Sequence, residues 1–264
     1  MTERDLSFQD VDNPNPKALT QEQIAFYNQN GYLKPFTAFD AEDADRQRAY
    51  FDDLVARVQA ERADFDSYAI NGFHSSCRGI YDVVTNPLIL DHVEDLIGPN
   101  IIAWGTHFFS KLPHDPKKVA WHQDASYWPL SPSKTVTVWL AIDDADIDNG
   151  AMQFVAGSHR GGQIAFEWSK PEEDNVLGQS VHDPGKYGAE EVAIEMTAGQ
   201  ISLHSDLLLH GSEPNASDRR RCGLTMRYCA TDVRALQGWH LKGVLLSGED
   251  PEGHWANPPR PAQD

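Results

Sequence analysis

The strongest constraint on this chain is a change of pattern near residue 100. Before it, apolar residues recur at helical spacing. After it, short β-rich runs follow one another at 101–111, 119–124, 134–142, 151–155, 192–196, 200–204 and 221–230, cut by Gly, Pro, Asp and Asn. A doubly wound parallel sheet would alternate strands with helices. Many strands after a helical start therefore select a sandwich or barrel, mainly β, with flanking helices packed outside.

Residues 1–17 are polar, carry the steps Asn13-Pro14 and Asn15-Pro16, and read as an irregular arm. Thr20 and Gln23 form a capping-box pattern opening a short helix, with Ile24, Phe26 and Tyr27 on its apolar face and Asn30-Gly31 as its stop. A strand is expected at 32–36, then a helix from Asp40 to about Ala63 carrying Tyr50, Leu54, Val55 and Val58. A third helix has Asn86 as N-cap, Pro87 at its first position, a stripe of Leu90, Val93, Leu96 and Ile97, and a stop at Gly98-Pro99. The polar stretch 161–190 reads as an ordered excursion over the barrel mouth, and Pro258-Pro259-Arg260-Pro261 as an extended tail. The expected organisation is one domain over 1–264: a helical part (1–99), a β core (100–235) and a C-terminal extension (236–264).

Charge narrows the partners. Lys and Arg total 22 against 40 Asp and Glu, a net charge of −18. Such a surface repels phosphate backbones and anionic lipid, which excludes nucleic acid and membrane as expected partners. No apolar run approaches the ~20 residues of a bilayer span. Met1-Thr2-Glu3-Arg4-Asp5 lacks the basic start and apolar stretch of a secretory signal. Three cysteines (Cys77, Cys222, Cys229) without C-x-x-C spacing point to a reducing cytoplasm. A small-molecule substrate remains, handled by a monomer or homodimer.

His122-Gln123-Asp124 closes an expected strand. Residues i and i+2 of a strand share a face, so the imidazole and the carboxylate converge while Gln123 points away. That is two thirds of the 2-His-1-carboxylate set of non-haem Fe(II) oxygenases, which leaves positions open for a chelating co-substrate and O2. Alone, His-x-Asp is weak. His210 strengthens it: it ends the run 200–209, Gly211-Ser212 follows, and eleven residues on Arg221 heads the next strand. A dicarboxylate chelating iron at one end needs its far carboxylate neutralised, and Arg does this bidentately, with the Ser212 hydroxyl able to share it. Arg227, six positions from Arg221, falls on the same face. Arg219 and Arg220 read as a solvated cluster at a turn, His204 as structural because no carboxylate is paired with it, and His159 as a loop hydrogen-bonding residue.

Taken in order, Lys111-Leu112-Pro113, Trp121-His122-Gln123-Asp124, Thr137-Val138-Trp139-Leu140-Ala141, Asp148-Asn149-Gly150-Ala151-Met152-Gln153-Phe154, Gly157-Ser158-His159-Arg160 and His210-Gly211-Ser212 with Asn215 and Arg221 resemble the phytanoyl-CoA dioxygenase family of iron- and 2-oxoglutarate-dependent oxygenases. The resemblance begins at Leu19-Thr20-Gln21-Glu22-Gln23 with Gly31-Tyr32-Leu33 and covers most of the chain. It implies a double-stranded β-helix (jelly roll, cupin-like). It implies His122, Asp124 and His210 as Fe(II) ligands, with Arg221 and Ser212 holding the 2-oxoglutarate tail. Lys111 and Trp139 match positions near the co-substrate in relatives. It implies consumption of O2 and 2-oxoglutarate, release of succinate and CO2, and hydroxylation of an unactivated C–H. Halogenating relatives replace the carboxylate ligand by Gly or Ala; Asp124 is present here, so hydroxylation is expected.

Expected substrate contacts are Tyr127, Trp128, Asn71, His74 and Arg227, with Trp168 and Tyr187 as further candidates from the excursion. A charge of −18 with no long basic stretch disfavours CoA phosphates and favours a free, polar or zwitterionic metabolite such as an amino acid or phosphonate derivative. The competing readings are a natural-product tailoring oxygenase that desaturates or cyclises, an acyl-CoA hydroxylase, and a jelly-roll binding module without turnover.

Overall fold

The computed structural model describes residues 4–61 and 70–264. Four helices come first: α1 (Gln21–Asn30), α2 (Ala41–Glu61), α3 (Arg78–Val84) and α4 (Pro87–Ile97). The capping box at Thr20 and Gln23 is formed, and Gly31 ends α1 at φ 82°, a left-handed backbone suited to glycine. Asn86 Oδ1 accepts from the Leu88 N–H at 2.9 Å, with Pro87 at the first helical position. The expected end of the second helix near Ala63 lies outside the described residues.

Fourteen strands are described. They are β1 (Tyr32–Thr37), β2 (Ile101–Lys111), β3 (Val119–His122), β4 (Leu130–Ser131), β5 (Thr135–Ala141), β6 (Met152–Val155) and β7 (Glu167–Trp168), then β8 (Gln179–Ser180), β9 (Glu191–Ile194), β10 (Gln200–Ser205), β11 (His210–Ser212), β12 (Arg221–Ala230), β13 (Arg234–Ala235) and β14 (Val244–Ser247). The major sheet runs β1-β10-β5-β12-β2-β14 and the minor sheet β3-β11-β6-β9, every pair antiparallel. This is the jelly roll that the resemblance implies.

Alternation along the major sheet explains where the helices sit. Val136, Val138 and Leu140 of β5, with Cys222, Leu224, Met226 and Tyr228 of β12, join one apolar cluster with Phe51, Leu54, Ile89 and Val93 of α2 and α4. The intervening residues Thr137, Trp139, Arg221, Thr225 and Arg227 line a cavity on the opposite face. Cys222 and Cys229 accordingly belong to different clusters, and all three cysteines are free and buried.

Three expectations need correction. The strand expected at 119–124 stops at His122, and Asp124 opens a 3-10 turn, Asp124–Ser126, so a shared strand face is not what aligns His122 with Asp124. The run 200–209 is not one strand: β10 ends at Ser205, a turn closed by Leu208 N–H donating to Ser205 O at 3.0 Å intervenes, and His210 starts β11 in the other sheet. The extension past 235 contains β14, which adds to the edge of the major sheet beside β2.

Candidate metal centre

β3 and β11 are neighbours in register, with His122 opposite His210, and their rings lie 4.1 Å apart between centroids. Each Nδ1 is 2.8–2.9 Å from the carbonyl two residues back, Ala120 O for His122 and Leu208 O for His210. A carbonyl only accepts, so each Nδ1 carries the proton and each Nε2 presents a lone pair. Burial pushes both imidazoles to lower pKa, His210 well below its ordinary value with His122 adding to the effect. Both are therefore neutral, the state a metal requires.

The turn at 124 brings the carboxylate in. Asp124 Oδ2 accepts from Thr137 Oγ1 at 3.1 Å, and Oδ1 lies 3.8 Å from His122 Nε2. Burial would raise its pKa, but the charge of Arg227 facing it works the other way, and the carboxyl is held well below the usual range. One ligand atom each from His122, Asp124 and His210 lies within 4.8 Å of the other two. Two nitrogens and an oxygen at that spacing suit bonds of about 2.0–2.2 Å to one divalent ion.

Gln123 points away from this centre, as alternation predicts, and bolts it in place. Its Nε2 donates to Leu207 O (2.6 Å) and Gly162 O (3.0 Å), and its Oε1 accepts from Ile164 N–H (2.7 Å). It thereby ties the Asp124 turn to the turn before His210 and to the excursion. Gln123→Ala strands three buried polar groups, an expected cost of about 2–4 kcal/mol, read as a fall in melting temperature of roughly 5 °C or more.

The co-substrate candidates line the same recess. Arg221 is 2% exposed, its Nε donates to Gly150 O at 3.0 Å, its Nη2 also bonds that carbonyl, and its Cζ lies 5.6 Å from the Trp139 ring. Gly150 is at φ 81°, and a Cβ there would overlap the Glu213 carbonyl oxygen, so glycine is required for the carbonyl to meet Arg221. Ser212 lines the recess with a buried hydroxyl that has no hydrogen-bond partner among the described residues. Lys111 is placed differently. It is fully buried behind the recess, with Nζ donating to Ser212 O (3.2 Å) and to Glu213 O. Burial, reinforced by Arg221, pushes its pKa down to about 6, so Arg221 is the lasting cation of the pair. Asn215 clamps the loop between His210 and Arg221, its Nδ2 donating to Leu112 O (2.9 Å) and Arg219 O (2.6 Å).

Trp139 lies against Gly223, where a Cβ would overlap the indole. Gly223→Ala is expected to displace Trp139, at about 1–3 kcal/mol of overpacking, and to weaken 2-oxoglutarate binding measured by titration.

Beyond the recess opens a cavity of ≈ 710 Å³ lined by all five expected substrate contacts, Asn71, His74, Tyr127, Trp128 and Arg227. His74 has both nitrogens engaged, Nε2 donating to Lys242 O at 3.0 Å and Nδ1 lying 3.4 Å from Thr106 Oγ1. Trp168 and Tyr187 are exposed and line neither space. His159 bonds the Asn28 carbonyl at 3.1 Å. Arg220 is not solvated: it pairs with the buried Asp143 at 2.7 Å and with Asp52.

His204 corrects the sequence reading most. Its Nε2 is 3.8 Å from Asp124 Oδ2, its ring packs at a tilt on His210 at 4.7 Å and on Phe154 at 5.1 Å, and among the described residues neither ring nitrogen has a hydrogen-bond partner. It is 1% exposed and lines the recess. The one available signal was parity: His204 and Ser202 alternate with the apolar Ile201 and Leu203 of β10, which places His204 on the inner face.

A jelly roll with two neutral imidazoles and a carboxylate converging beside a buried arginine defines the non-haem iron oxygenase class. The phytanoyl-CoA dioxygenase (PhyH) family matches residues 27–223, most of the chain, and this protein belongs to that family. It is an iron- and 2-oxoglutarate-dependent dioxygenase. It is 27% identical to the peroxisomal phytanoyl-CoA dioxygenase of Homo sapiens over 81% of this chain and 69% of that protein. It is also 27% identical to a probable alpha-ketoglutarate-dependent hypophosphite dioxygenase of Stutzerimonas stutzeri, over 82% of this chain and 81% of that protein. Among solved structures it is similar to the apo form of the non-heme monooxygenase ThoJ, with a TM-score of 0.79 and 26% identity over 91% of this chain and 88% of that one. Among the described residues no helix is long and apolar enough to cross a membrane.

Proposed function

We propose that His122, Asp124 and His210 hold Fe(II), that Arg221 and Ser212 take the far carboxylate of 2-oxoglutarate with Trp139 alongside, and that a small polar metabolite enters the ≈ 710 Å³ cavity and is hydroxylated. The observation that carries this reading is the convergence of two Nε2 lone pairs and a low-pKa carboxylate in one recess with a buried arginine. When bound, iron would supply the site at which O2 is reduced, 2-oxoglutarate being oxidised to succinate and CO2 while the second oxygen goes to the substrate.

The chain's own part is positional. The Ala120 and Leu208 carbonyls fix the two imidazole tautomers, and Thr137 orients the Asp124 carboxylate. Gly150 aims Arg221, so the co-substrate's tail meets a charge and a hydroxyl that have lost their water. Lys111 holds the backbone at Ser212 and Glu213 in position and does not itself line the recess. Tyr127, Trp128, Asn71, His74 and Arg227 bound the substrate's space. The three reduced, buried cysteines accord with a cytoplasmic setting, and the chain acts as a monomer or homodimer.

Two measurements test this reading. Anaerobic Fe(II) plus 2-oxoglutarate should produce a weak visible charge-transfer band, which a binding module without turnover would lack. A panel of metabolites, scored by stimulated succinate formation and then by product mass, should give a gain of one oxygen. A loss of two hydrogens instead would assign desaturation or ring closure.

A further inference from the structure

We propose that the primary substrate is a small organic anion with a flat apolar body, its oxyanion gripped by Arg227. This rests on the oxygenase reading of the site and narrows its substrate class. Arg227 stands on the inner face of β12 at a junction: it lines the recess that holds His122, Asp124 and His210, and also the ≈ 710 Å³ cavity beyond. Its guanidinium lies against a pair of indoles that meet edge to face at 4.5 Å, with Cζ 5.8 Å from the Trp104 ring and 5.1 Å from the Trp128 ring. Among the described residues the carboxylate that faces it is Asp124 of the triad, with no ion-pair contact between them, and its Nε is buried without a hydrogen-bond acceptor.

A partly buried guanidinium whose Nε lacks an acceptor is costly to maintain. Held against the two indoles, it is preorganised for a planar, bidentate anion. The rest of the lining agrees. Asp124 is the only carboxylate among the described lining residues, and it belongs to the triad. Lys242 adds a second cation, its Nζ 4.1 Å from the Trp239 ring. In a chain of net charge −18, a cavity that keeps cations and otherwise excludes acids attracts an anion against the overall field. Trp104, Trp128 and Trp239 supply the apolar wall, and ≈ 710 Å³ lies within the range that encloses drug-sized ligands. Because Arg227 borders the triad's recess, the oxidised carbon lies within a few bonds of the anionic group.

The test uses enzyme loaded anaerobically with Fe(II) and 2-oxoglutarate, and three matched probes: 3-phenylpropanoate, 3-phenylpropanamide and 2-phenylethylphosphonate. Tryptophan emission reports occupancy, since three indoles line the cavity. At least one anion should bind about tenfold or more tighter than the amide. Arg227→Gln should erase that preference, and Arg227→Lys should retain part of it. The tighter anion identifies the oxyanion. Equal binding of anions and amide, no binding of any probe at millimolar concentration, or a preference that survives Arg227→Gln overturns the proposal. If Arg227→Gln does not fold, the anion-to-amide ratio of the unsubstituted protein still decides. A missing charge-transfer band sinks the oxygenase reading instead; the probe titration reads the cavity alone and separates the two failures.

Discussion

Asp124→Ala is expected to cut substrate-dependent succinate formation by ~10³-fold or more while leaving the far-ultraviolet circular dichroism unchanged. Three side chains hold the ion in this reading, and Asp124 is the anionic one. Its removal leaves two neutral imidazoles facing a divalent cation with no charge to offset it. The fold has little at stake, because among the described residues the carboxylate's one hydrogen bond is from Thr137. Metal retained after desalting, measured alongside turnover, locates the defect. Undiminished turnover would remove Asp124 from the ligand set.

Arg221→Ala is expected to raise the 2-oxoglutarate requirement by ~10²–10³-fold, because removing one partner of a buried charge pair costs about 3–5 kcal/mol. The effect should fall on the co-substrate's KM rather than on the affinity for Fe(II), since Arg221 binds Gly150 O and lies against Trp139, away from the triad. Arg221→Lys should rescue poorly. A lysine already stands beside this position, at 111, and burial with Arg221 pushes its pKa down to about 6; a second ammonium there would meet similar desolvation. A 2-oxoglutarate requirement unchanged in Arg221→Ala would transfer the role to Arg227.

Local chemistry made much of this legible. The strand over 221–230 is found at those bounds, because a run containing Cys222, Leu224, Thr225, Met226, Tyr228 and Cys229 lies between a charged turn and Thr231. Asn86 and Pro87 marked the start of α4, and Thr20 with Gln23 the start of α1. The identity of the triad residues could be read, but the reason they converge could not. A strand face was expected to align His122 and Asp124, whereas a 3-10 turn does so, pinned by Gln123 bonds to residues 39, 41 and 84 positions away. His204 has no carboxylate near it in the sequence; its partner Asp124 comes from the 3-10 turn after β3, and sequence distance carries no trace of it. β14 was missed because four residues between Gly243 and Gly248 give too short a pattern, and only pairing with β2 defines it. Gly150 belonged to a recognisable block, but its contribution is a carbonyl oxygen, which no side-chain reading detects.

The two Nδ1 protons rest on backbone carbonyls two residues back, Ala120 in β3 and Leu208 in the turn before β11, and not on outlying side chains. The cage is therefore shaped before any ion arrives, and chelation should empty it without melting the barrel, unlike a zinc finger. A cage set in advance from two nitrogens and an oxygen gains no shape-based preference for iron. Copper(II), nickel(II) and zinc(II) outrank ferrous iron at such donors. In a cell, the right occupant would then be secured by which ions are supplied, and trace zinc or copper would silence the enzyme by simple replacement.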